Sequence, residues 1–158
     1  MDKKVIFGIG VFALAALIYF MFGKGSSVNG NAVAISTEII DEGDMIKIPL
    51  SAISTKAQFQ EYNSNGVDIE YFIVKAKDGS IKAAFNACDV CYRSKKGYRQ
   101  QGSDMICNNC GNHYAISGLG TKNLNGGGCW PGYLPARQQG DYLIIEKNDI
   151  EQGKYRFA

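Results

Sequence analysis

The longest uninterrupted hydrophobic stretch lies at the start of the chain, where Val5 to Phe22 form an uncharged run of eighteen residues. As a helix rising about 1.5 Å per residue it reaches roughly 27 Å, enough to cross a bilayer core. Lys3 and Lys4 precede it, and Lys24 follows with a small polar stretch to Asn31. The positive-inside tendency then leaves the N-terminus in the cytoplasm and everything after Gly23 outside. The expected organisation is an uncleaved anchor over residues 1–23, a linker over 24–35 and an extracytoplasmic domain over 36–158. A cleaved signal peptide is the competing reading. Its cleavage pattern would be Ala32-Val33-Ala34, which stands about ten residues beyond a run already longer than the usual apolar segment of a signal.

Beyond the linker the apolar period changes. Met45 to Leu50 alternates, and Val67 to Val74 is rich in β-branched and aromatic residues behind the turn signal Asn65-Gly66. Lys77-Asp78-Gly79-Ser80 reads as a hairpin turn, with Asp-Gly supplying positive φ, leading into Ile81 to Phe85. His113 to Ile116, Asp141 to Glu146 and Gly153 to Phe157 read as further strands. Only Ala52 to Tyr62 is long enough without Gly or Pro to hold a short helix. Many short strands with frequent turns predict a mainly β domain, an antiparallel sandwich or small barrel with the cysteine loops at one end.

Seventeen Lys and Arg against fifteen Asp and Glu give a formal charge of +2, too small for the field with which nucleic-acid binders collect phosphates. Charge is local instead. Glu38, Asp41, Glu42 and Asp44 form an acidic run, and Arg93, Lys95, Lys96 and Arg99 form a basic one beside the cysteines. Such runs are ordinarily solvated, although the basic one is placed to guide an acidic partner or an anionic ligand.

Five Cys and one His in 158 residues point to thiol or metal chemistry. Cys88-Asp89-Val90-Cys91 and Cys107-Asn108-Asn109-Cys110 are Cys-x-x-Cys pairs fifteen residues apart, and Cys129 follows in Gly126-Gly127-Gly128-Cys129-Trp130-Pro131. Two residues between thiolates let both sulfurs converge on one centre while turn N–H groups point at them, and a second pair completes four ligands. Cys88, Cys91, Cys107 and Cys110 are therefore the expected metal or cluster ligands. Cys129 is a neighbour, an alternative ligand or half of an intermolecular disulfide, and His113 is a strand-face residue or an additional ligand. Gly111 suits the tight knuckle, and the glycines before Cys129 suit a close backbone approach to the metal, with Trp130, Pro131 and Tyr133 covering it.

Zinc and an iron–sulfur cluster are not separated by this spacing. Copper(I) has no Met cluster to support it, and five thiols cannot all pair as disulfides. Thiol–disulfide exchange lacks a helix to lower a thiol pKa, and c-type haem is excluded because Tyr92 and Gly111 stand where its motif requires His.

Two resemblances rest on these residues. The order Ile48-Pro49-Leu50, a strand pair around Lys77-Asp78-Gly79, Phe85-Asn86-Ala87-Cys88, the second pair and the Gly127 to Pro131 loop resembles a Rieske domain. Cys91 and Cys110 stand where Rieske ligand histidines would be. Residues Asn86 to Tyr92, Lys96-Gly97-Tyr98, Cys107 to Gly111 and Gly127 to Pro131 resemble the FtrD-like membrane iron–sulfur proteins, over roughly Ile46 to Phe157. Members are often longer, with several membrane helices ahead of this domain. The resemblance implies an electron carrier outside the membrane, serving iron reduction or transport with an iron permease component and a cupredoxin-like or other redox partner. The simplest centre is a two-iron cluster, and all-thiolate ligation sets its potential nearer the roughly −400 mV of plant-type ferredoxins than the Rieske range.

Overall fold

The computed structural model describes residues 39–123 and 128–158. The chain divides into two units between Ala34 and Ile35, and all described residues belong to the second. The anchor expected over Val5–Phe22 lies outside the described residues. Among those residues, no helix is long and apolar enough to cross a membrane.

The domain is built from three antiparallel sheets. The first contains β1 (Ile40–Glu42), β2 (Met45–Pro49), β11 (Tyr142–Glu146) and β10 (Arg137–Gln139), in that spatial order. The second contains β3 (Gln58–Ser64), β4 (Val67–Lys75), β5 (Ile81–Cys88) and β9 (Pro131–Tyr133). The third contains β6 (Tyr98–Gln101), β7 (Asp104–Cys107) and β8 (His113–Ala115). One short helix, α1 (Lys147–Glu151), follows β11.

Opposite faces of the second sheet enter different cores. Ile69, Tyr71 and Ile73 of β4, with Ala83 and Phe85 of β5, pack with Ile46, Ile48, Leu143 and Ile145 of the first sheet. Phe72, Val74, Ala84 and Cys88 instead pack with Tyr98, Met105 and Cys107 of the third sheet. Strand β4 is therefore buried continuously from Tyr71 to Val74, as a strand covered on both faces must be.

Three sequence expectations are corrected. Ala52–Tyr62 forms no α-helix: a 3-10 turn spans Leu50–Ala52, and Gln58 onward is strand β3. Strand β3 pairs with β4 from Gln58↔Ile73 to Ser64↔Val67 across Asn65-Gly66, where both residues have positive φ. That twist matches the flanking strands, so the hairpin outweighs local helix preference. Between β4 and β5 only Gly79 has positive φ; Asp78 instead accepts hydrogen bonds from the backbone N–H and hydroxyl of Ser80. Gly153–Phe157 is a 3-10 turn over Lys154–Arg156 and not a strand. Phe157 packs on the Phe85 ring at 6.3 Å, while Pro131–Tyr133 takes the sheet edge beside β5.

Candidate metal centre

The first Cys pair grows out of the end of β5. Cys88 closes that strand, and the backbone N–H of Cys91 donates to the Cys88 sulfur over 2.9 Å. Asp89, inside the turn, is clamped by the C-terminal turn through one oxygen, Oδ1. Tyr155 Oη donates to it at 2.7 Å, Arg156 Nη2 at 2.7 Å and Arg156 Nε at 3.0 Å. Desolvation pushes the Asp89 carboxyl up, but the Tyr155 hydrogen bond and the Arg156 charge outweigh it and hold it below the usual carboxylate range.

The second pair follows β7 in the same manner. Gly111, at φ +75°, returns its N–H to the Cys107 carbonyl at 2.8 Å, a turn that a side chain would strain. Backbone N–H groups of Cys110 and Asn109 face the Cys107 sulfur, and that of Asn112 faces Cys110. Cys129 arrives on a third segment, between Gly128 at φ +70° and the start of β9, where Pro131 lies opposite Cys88. Tyr98 ties this segment down: its buried hydroxyl donates to the Cys129 carbonyl at 2.5 Å, and its own residue faces Cys107 across β6 and β7.

These three segments bring the sulfurs of Cys91, Cys107, Cys110 and Cys129 within 4.8 Å of one another. The Cys91 and Cys129 sulfurs are 2.7 Å apart. Cys107 and Cys129 are buried, Cys91 is half-buried and Cys110 is exposed. Burial pushes the Cys129 and Cys107 thiols up, although the knuckle N–H groups offset part of the effect at Cys107. Cys91 is lowered, chiefly by the Cys129 thiol and then the Asn109 side chain, and Cys110 chiefly by the Asn112 N–H. A cation at the convergence point favours the thiolate at all four, because ligand binding and deprotonation are linked.

Of the residues singled out in the sequence, Cys91, Cys107 and Cys110 fall within this group, and Cys129 joins them. Cys88 stands beside the group: its sulfur accepts the Cys91 N–H and meets the Cys91 and Cys129 thiols. His113 is exposed, and its Nδ1 faces Asp104 Oδ2 at 3.2 Å. Gly126 and Gly127 lie outside the described residues. Trp130 packs edge-on against Tyr114 at 5.3 Å.

Sequence reading missed the Tyr98 tie and the Tyr155–Arg156 clamp on Asp89. The two-residue turn Gly102-Ser103 was a usable signal for Tyr98, since it pairs β6 with β7 and sets Tyr98 opposite Cys107. The clamp spans more than sixty residues of chain, from Asp89 to Tyr155 and Arg156, and had no local signal.

No curated protein matches the chain. The family model described as membrane iron–sulfur containing protein FtrD-like matches residues 53–157, which takes in both Cys pairs, Cys129 and the clamp. The chain belongs to this FtrD-like family of membrane iron–sulfur containing proteins.

Proposed function

We propose that the domain is a membrane-tethered, extracytoplasmic electron carrier whose iron–sulfur centre is held by Cys91, Cys107, Cys110 and Cys129. The observation that carries this reading is the convergence of four thiol sulfurs, from three separate segments, in a chain that matches the iron–sulfur family model over residues 53–157. The chemistry of the donor set fits the group: it contains sulfur alone, with neither carboxylate nor imidazole, and backbone N–H groups face two of the sulfurs, those of Cys107 and Cys110. When bound, such a centre supplies reversible one-electron transfer. The chain's own residues hold it, set its charge and limit its exposure. Two buried thiols and one half-buried thiol keep most of the site from water, while exposed Cys110 leaves one edge at the surface. Cys88 supplies the sulfur on which the first turn is wound. The tether rests on the apolar run Val5–Phe22, and three sheets carrying the site at strand ends support a Rieske-like architecture. Iron reduction or transport at a permease is the role that suits a low-potential donor in this position.

Zinc is the second reading, and a specific feature favours it. Tetrahedral thiolates at about 2.3 Å from one ion stand roughly 3.8 Å apart, within the spread of these sulfurs. Iron, acid-labile sulfide and zinc analysis of the full chain purified without oxygen, with its visible spectrum, decides between them. Iron with matching sulfide and a visible band that bleaches on reduction is the expected result. One equivalent of zinc in a colourless protein would overturn the electron-carrier reading.

A further inference from the structure

We propose that the exposed edge of the cysteine centre docks an electron-transfer protein with an acidic surface, through a basic strip formed by Arg93, Lys95, Lys96 and Arg99. The inference rests on the electron-carrier reading and adds the chemistry of the partner.

The strip contrasts with the other charged run of the domain. Asp41 and Glu42 are neutralised by Lys147 and Lys47. All four strip residues are exposed, and none forms an ion pair among the described residues. No acidic residue interrupts the chain from Val90 to Ser103. Two carboxylates line, together with Lys95, a cavity of about 140 Å³ that reaches Cys88, Cys91 and Cys107. They are Glu70, which accepts from Asn86, and Asp68, which accepts from Asn63. Arg93 lies over the Tyr92 ring, Lys95 Nζ donates to the Phe157 carbonyl at 3.5 Å and Arg99 to Asn108, yet no carboxylate offsets the repulsion among the four charges.

The strip is fixed to the centre. Asn108, between Cys107 and Cys110, accepts from Arg99 Nη1 at 2.8 Å and donates to the Lys96 carbonyl at 2.8 Å. Lys95 follows the 3-10 turn that Cys91 opens, and it sits at φ +52°, a left-handed position where glycine would be less strained. On the turns beside these cations Cys110 and Gly111 are exposed, and Val90 is 58% exposed next to Asp89, whose charge Arg156 meets. A small patch over the cysteine edge, with four cations on one side and its one carboxylate held by Arg156, is a layout that steers a partner with an acidic surface and sets its orientation.

The test uses the full, reduced iron–sulfur protein mixed rapidly with oxidised acidic cytochrome b5 or basic cytochrome c as probe partners, across a range of salt. The rate with the acidic probe should fall about tenfold from low to high salt, and the rate with the basic probe should not fall. The double variant Lys95→Gln/Lys96→Gln should lose most of the salt dependence with the acidic probe while keeping its visible spectrum. Salt-independent reaction with the acidic probe would overturn the docking surface and leave the electron-carrier reading intact. Vesicles containing phosphatidylserine that retain the chain better than the double variant, with no salt effect on the cytochrome reaction, would assign the strip to lipid and overturn the proposal too. Absence of iron and sulfide would remove the electron-carrier reading itself, together with this partner.

Discussion

The two cores of the domain are built from different materials. Between the first and second sheets lie Ile46, Ile48, Ile53, Ile69, Tyr71, Ile73, Phe85, Leu134, Leu143, Ile145 and Ile150, all buried, without one cysteine. Between the second and third sheets lie three buried cysteines, three alanines and fewer large side chains, with Phe72, Met105, Ile116 and Leu119 among them. The first core is complete by burial of hydrocarbon alone. The second ends in thiols, whose contribution depends on what they bind, so a metal held there would couple its binding to folding on that side. The difference teaches which half of the molecule can afford to lose its ligand.

The sharpest way to break this comparison is at the thiols. Cys107→Ser and Cys129→Ser should each abolish the metal-dependent absorbance, whereas Cys88→Ser should keep most of it. Equal loss at Cys88 and Cys129 would remove the distinction between the four-sulfur group and the sulfur beside it. Chelation of the metal should raise amide hydrogen exchange in β6, β7 and β8 while β2, β4 and β11 stay protected. Uniform loosening would make the two cores one cooperative unit.

The aliphatic side has its own test. Ile145, fully buried, should cost about 3 kcal/mol when replaced by alanine, measured by denaturant unfolding, because the sheets cannot close on the cavity. Metal content per folded molecule should not change. Gly153→Ala probes the same core by overpacking. Its added Cβ would stand 2.3 Å from two carbons of the Phe85 ring, and displacing a packed ring should cost about 2 kcal/mol. A smaller loss than at Ile145, with an unchanged visible spectrum, would place both effects in the first core.

Legibility in the sequence follows the same division. The aliphatic sandwich was readable because its strands alternate or run apolar for physical reasons that act locally: Val67–Val74 and Asp141–Glu146 were recognisable as strands before their partners were known. The third sheet was harder. Residues Tyr98–Gln101 and Asp104–Cys107 carry glutamines and an aspartate, and only the short Gly102-Ser103 turn reveals them as a hairpin. Strand β3, with glutamines and a glutamate among its seven residues, looked helical until the Asn65-Gly66 turn paired it with β4. At the site, Cys-x-x-Cys spacing revealed the knuckles because the sulfur and its N–H donors are neighbours in sequence. The convergence of Cys91 with Cys129 depends on β9 lying beside β5, a long-range pairing that spacing does not encode.

The smallest expected effect bears on why the cysteine side keeps a strained residue. Lys95 is one of two non-glycine residues with positive φ among the described residues, the other being Asn65 in its hairpin turn. Asparagine tolerates that conformation through its short polar side chain; lysine gains nothing comparable, and its Cβ crowds the backbone. Lys95→Gly should therefore stabilise the domain by about 1 kcal/mol, read as a higher thermal midpoint in the metal-loaded protein. The same change removes one cation from the strip and should weaken the reaction with an acidic partner. A gain in stability joined to a loss in that reaction means that the charge is retained at a cost in folding, as functional surfaces are. A gain in stability with no kinetic loss would leave Lys95 as a solvated turn residue and confine the docking surface to Arg93, Lys96 and Arg99.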